Sequence, residues 1–107
     1  MSELDNYLNH LISLQRTGEE LDYLNAKIVE NQAIPGLHRR LAEIYRLIGS
    51  KEDAVNQLEI AKDMYLQSGN RTAAIETLMG ILALNPINVK FYQHMLDELQ
   101  AQDQSGK

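Results

Sequence analysis

The sequence predicts an all-α domain: about six antiparallel helices forming an α-α superhelix of about three helix pairs. Three observations carry this reading. Gly18, Pro35-Gly36, Gly49-Ser50, Gly69-Asn70 and Asn85-Pro86 divide the 107 residues into six segments, each of about 12 to 18 residues, the usual length of a globular helix. Within the segments apolar residues recur at helical spacing, and no segment shows the Val/Ile/Thr alternation of a strand. Expected helix starts near 3, 36 and 70, and near 19, 51 and 88, recur at intervals of about 34 residues, the spacing of a repeat and not of a closed bundle.

Each segment justifies a helix in turn. The first carries Leu4, Leu8, Leu11, Ile12 and Leu14, with Ser2 ahead of Glu3 and Asp5 as a start signal. Gly18 is expected to close it, and Leu21, Leu24 and Ile28 mark a second helix. Pro35-Gly36 opens a third, with Leu37, Leu41, Ile44, Tyr45 and Ile48. Ser50, followed by Glu52 and Asp53, starts a fourth with Ala54, Val55, Leu58, Ala61 and Tyr65. Asn70 precedes a fifth built on Ala74, Ile75, Leu78, Ile81, Leu82 and Leu84. Asn88 can cap a sixth, with Tyr92, Leu96 and Leu99 on its stripe and Phe91 and Met95 beside it. Connections of only about two to four residues make consecutive helices antiparallel neighbours. The glycines are read as helix stops. The expectation is a single domain over residues 1–102, paired about 3–35, 36–68 and 70–101, with 103–107 a disordered tail.

Composition excludes several classes of function. There is no cysteine, so neither disulfides nor thiolate-bound metals are available. A formal net charge of -5 argues against nucleic acid as a partner, since phosphate binding needs clustered Lys and Arg. Mean hydropathy is -0.35, and no apolar run approaches the roughly 20 residues of a membrane span. The N-terminus begins acidic, without the basic region of a secretory signal. Cytoplasm is the default compartment.

Two stretches carry a family resemblance. Leu41, Tyr45, Gly49, Ala54, Leu58 and Ala61 follow one pattern in order, and Ala61, Tyr65, Gly69, Ala74, Leu78, Ile81 and Pro86 follow it again, with Ala in the leading Leu position. A weaker copy runs through Leu14, Gly18 and Pro35. Over residues 3–101 the chain resembles the tetratricopeptide repeat family, and the long fourth segment is similar to its longer-helix variants. In the first repeat Tyr23 stands where Ala is expected. The resemblance implies a scaffold that binds a peptide or helix of another protein on a concave surface. It also identifies Arg39, Glu43 and Arg46 as groove-lining positions of the second repeat. Members that clamp the acidic tails of chaperones use Lys and Asn in the first repeat. Leu8 and Ile12 stand at those places, so that clamp is not carried over.

Read for chemistry, the residues point away from an enzyme. His10, His38 and His94 lie on different helices, with no metal-ligand spacing, no nucleophile elbow and no phosphate loop. They are expected as partly exposed surface side chains, and no cofactor or metal is expected. Charge patterning says more. Residues 1–30 hold two basic and six acidic side chains, whereas residues 31–50 hold Arg39, Arg40 and Arg46 against Glu43 alone. Arg39, Glu43 and Arg46 share a helix face. They either floor a groove for an acidic peptide or pair among themselves in solvent. Leu8 and Ile12 either pack beneath a neighbouring pair or form an apolar patch. Phe91 and Met95 stand off the Tyr92-Leu96-Leu99 stripe, so the last helix either packs deeply or associates, through Phe91, Tyr92 and Met95, with a second copy as a homodimer.

Overall fold

The computed structural model describes residues 3–30 and 34–105, with side chains from 16–30 and 34–102. Among the described residues five helices make the architecture: α1 (Glu3–Glu30), α2 (Pro35–Leu47), α3 (Lys51–Gln67), α4 (Arg71–Ala83) and α5 (Val89–Ser105). No strand occurs among the described residues. The all-α class stands, and the expectation of six helices is corrected to five. The first two expected helices are one continuous helix of 28 residues, about 42 Å long. Gly18 lies inside it, because a lone glycine costs a helix interior only about 1 kcal/mol. Nor are all the other glycines stops: Gly36 is in the first turn of α2, behind Pro35, and Gly80 is in the middle of α4. Helix α5 extends to Ser105, so helical backbone enters the segment expected as a tail.

Two turns organise the rest, and they are copies of each other. At the end of α2, Gly49 has φ +81°, its N–H donates to the Arg46 carbonyl at 3.1 Å, and Ser50 N–H donates to the Tyr45 carbonyl at 2.8 Å. At the end of α3, Gly69 has φ +78°, with Gly69 N–H on Leu66 O at 3.1 Å and Asn70 N–H on Tyr65 O at 2.8 Å. This is a Schellman closure, in which only glycine takes the left-handed residue without a Cβ penalty. The residue after each glycine also serves as the N-cap of the next helix, so the connection is as short as a helix reversal allows. Asn70 Oδ1 accepts from Ala73 N–H at 3.1 Å. Four residues beyond each cap stands an alanine, Ala54 or Ala74, that is fully buried. Its small side chain lets the reversing backbones approach. After α4, Asn85 takes the left-handed position at φ 53° and Pro86 prevents continuation.

Packing follows chain order: α1 on α2, α2 on α3, α3 on α4, α4 on α5. Helix α3 also meets α5 through side chains, since Tyr92 Oη donates to Glu59 Oε1 at 2.7 Å and Lys62 Nζ lies 3.6 Å from Met95 Sδ. The main core comprises Ala74, Leu78 and Ile81 of α4 with Tyr92, Leu96 and Leu99 of α5, and Val55, Leu58 and Tyr65 of α3 pack against it. A smaller core joins Leu24 of α1 to Leu41 and Ile44 of α2. The result is elongated, 56 × 31 × 23 Å. No described helix is long and apolar enough to cross a membrane.

Candidate functional site

Two concavities of similar size occur among the described residues: one of about 480 Å³ beside Lys51, Val55, Pro86, Ile87 and Tyr92, and one built on the three charged positions of α2. Arg39, Glu43 and Arg46 recur at helical spacing, so one face presents all three. That face, with Ala42, forms one wall of a cleft of about 470 Å³. Leu58 of α3 supplies an apolar floor, and Gly80 and Ala83 of α4 with its C-cap Leu84 make the opposite wall. The fold thus brings together the predicted basic face and a stretch of α4 that sequence reading left out. A Cβ built on Gly80 would meet Leu58 Cδ1 at 3.7 Å, an ordinary contact. The fold therefore does not demand glycine there, and its absence of side chain leaves the α4 backbone open to the cleft.

The cleft's electrostatics are asymmetric. Arg46 is committed to Glu43: its Nε donates to Oε2 at 3.0 Å, and its Nη2 donates to Oε1. This forked pair holds the Glu43 carboxyl below the usual carboxylate range and raises the Arg46 guanidinium. Arg39 is exposed and makes no ion pair among the described residues. Arg40, on the side of α2 toward α1, bonds Glu20 Oε1 at 2.5 Å. That bond lowers the Glu20 pKa and raises that of Arg40. Of the three arginines of α2, two are internally neutralised and one is available.

The other predicted residues fall elsewhere. Leu8 and Ile12 lie in α1, and their side chains are outside the described residues. Tyr92 is only 6% exposed and belongs to the main core, which places it inside its own chain and not at an outer surface. Burial first, then the Glu59 hydrogen bond, pushes its pKa up to about 12. Met95 is half-buried against the same core. Phe91 stands 55% exposed, edge-on to Tyr92 with ring centroids 5.3 Å apart. Met95 stands off the stripe because α5 packs on two helices, α4 and α3, whereas Phe91 remains exposed. Beside the exposed Val89 and Phe91, the outer positions of α5 carry polar pairs, with His94 Nε2 at 3.0 Å from Glu98 and Gln93 bonded to Asp97 at 3.0 Å.

His38 corrects an expectation. It is buried, and its Nδ1 lies 2.7 Å from Gln57 Oε1 of α3, so it is a satisfied structural histidine. Sequence reading also missed Lys62, buried with its ammonium 3.2 Å from Asp63. Its spacing from Val55 and Glu59 marked the α3 face that α5 covers. No group of three His, Asp or Glu side chains able to hold a metal occurs among the described residues. No protein-family model and no curated protein matches the chain significantly.

Proposed function

We propose that this chain is a non-enzymatic protein-interaction module, a tetratricopeptide-like stack of helix pairs that receives an acidic peptide or helix of another protein in the α2–α4 cleft. The observation that carries this reading is the free Arg39 guanidinium beside an apolar floor. Arg39 anchors a carboxylate by a forked pair of hydrogen bonds, and Leu58, Ala83 and Leu84 take an adjacent apolar side chain. Glu43 keeps Arg46 oriented and neutralises it, which leaves Arg39 as the unpaired charge of the cleft. The reversals at Gly49 and Gly69, 20 residues apart, supply antiparallel neighbours but do not themselves mark the repeat interval. The contacts of Glu59 with Tyr92 and of Lys62 with Met95, each joining residues 33 apart in the chain, support the repeat reading.

The test is fluorescence anisotropy with labelled peptides that mix Glu or Asp with Leu. Binding should weaken as salt rises, and Arg39→Glu should weaken it about tenfold or more. Gly80→Leu should weaken it as well, by filling the cleft. Equal affinity for peptides in which Gln and Asn replace Glu and Asp, or indifference to Arg39→Glu, would sink the reading.

A further inference from the structure

Gly80 lies in the middle of α4, where glycine weakens a helix relative to alanine. Packing does not require it. A Cβ there would meet Leu58 Cδ1 at 3.7 Å and nothing else within 4 Å outside its own helical turn. Nor does backbone conformation, since the glycines with positive φ are Gly49 and Gly69. What the missing side chain provides is room in the α2–α4 cleft. Helices α2 and α4 both pack on α3 and not substantially on each other, so the gap between them stays open above Leu58. Its sides carry Ala42 on α2 and Gly80 and Ala83 on α4, none with a side chain beyond a methyl group. The space of about 470 Å³ is far more than a carboxylate held at Arg39 would fill.

We propose that this slot takes an aromatic side chain, next to the acid in the ligand sequence, and that Gly80 is the residue that sets this specificity. The inference rests on the cleft being the peptide site described above. Walls of backbone and methyl groups are flat on the scale of a side chain, and a planar ring lies against them with fewer voids than a branched aliphatic group. Arg39 serves both parts of the ligand. Its guanidinium holds a carboxylate at its edge and a ring against its face. Glu43 is committed to Arg46 and does not compete for Arg39. Leu58 closes the slot with an apolar floor. A Cβ at position 80 would stand in the space that the ring needs.

The probes are fluorescein-labelled Ser-Glu-Xaa-Glu-Ser peptides with Phe, Leu or Ala at Xaa, read by anisotropy on the full chain. The Phe peptide should bind at least about tenfold more tightly than the Ala peptide and about threefold more tightly than the Leu peptide. Gly80→Ala should cut the Phe affinity about tenfold, leave the Ala peptide within about twofold, and raise the urea midpoint, because alanine is the better helix former. A residue acting only through the fold would instead move both affinities and the midpoint together. A Phe peptide no tighter than the Leu or Ala peptide, or a Phe preference that survives Gly80→Ala, overturns the assignment while acid- and Arg39-dependent binding stands. No binding of any of the three peptides, or indifference to Arg39→Glu, overturns the peptide site and this inference with it.

Discussion

The segment from α2 to α5 reverses sharply at Gly49 and Gly69, whereas α1 runs straight through Gly18. The residues around the three glycines explain the difference. Gly49 and Gly69 are followed by Ser50 and Asn70, which begin the next helix, and then by the fully buried Ala54 and Ala74. Gly18 is followed by Glu19, and Tyr23 stands where the small residue would have to be. A reversal there would press a phenol against the returning backbone. Glycine permits a turn; the cap and the small contact residue are what make it pay. The two regions also differ in depth of packing. Helix α3 touches three neighbours and contributes to the larger core, while α1 holds to α2 through the smaller one.

The largest effects should separate the two cores. Leu78→Ala should destabilise by about 3–4 kcal/mol and Leu24→Ala by about 2 kcal/mol, measured by urea denaturation. Equal losses would mean the cores are equivalent. Ala54→Tyr transfers the α1 residue to the α2–α3 turn and should cost about 3 kcal/mol by overpacking. The glycines themselves should respond with opposite signs. Gly69→Ala should cost about 1–2 kcal/mol, because its φ is left-handed. Gly18→Ala should stabilise by about 1 kcal/mol, since a Cβ there meets nothing within 4 Å. Loss of stability in Gly18→Ala would show that the break in α1 is real.

A smaller effect is expected at alkaline pH. Tyr92 has its folded pKa raised to about 12 from an ordinary value of 10.0. Its contribution is therefore complete below the unfolded pKa and is lost as pH rises through the folded one. Tyr92→Phe should remove that dependence at a cost of about 1 kcal/mol. The smallest effect is acidic and belongs to the exposed α1–α2 side. The depressed pKa values of Glu20 and Glu43 supply stability above their unfolded values that is lost as pH falls through the folded ones.

Much of the cleft was legible beforehand, because Arg39, Glu43 and Arg46 share a face by spacing alone. Its second wall was not. Gly80 and Ala83 carry no signal in a one-dimensional pattern, and they become a wall only when α4 lies opposite α2. The same holds for Met95. Apolar residues beyond one stripe mean two contacts, and the chain alone does not say whether the second is α3 or another molecule.

By itself the sequence determined the helical class, the ends of α2, α3 and α4, and the two glycine reversals, because periodicity, caps and left-handed residues act over a few neighbouring positions. Only the tertiary structure decided that α1 is one helix, that His38 and Lys62 are buried, and that α5 covers the Val55-Glu59-Lys62 face of α3. Those outcomes depend on which surfaces meet, and burial is a property of the pair of surfaces rather than of either strip of sequence.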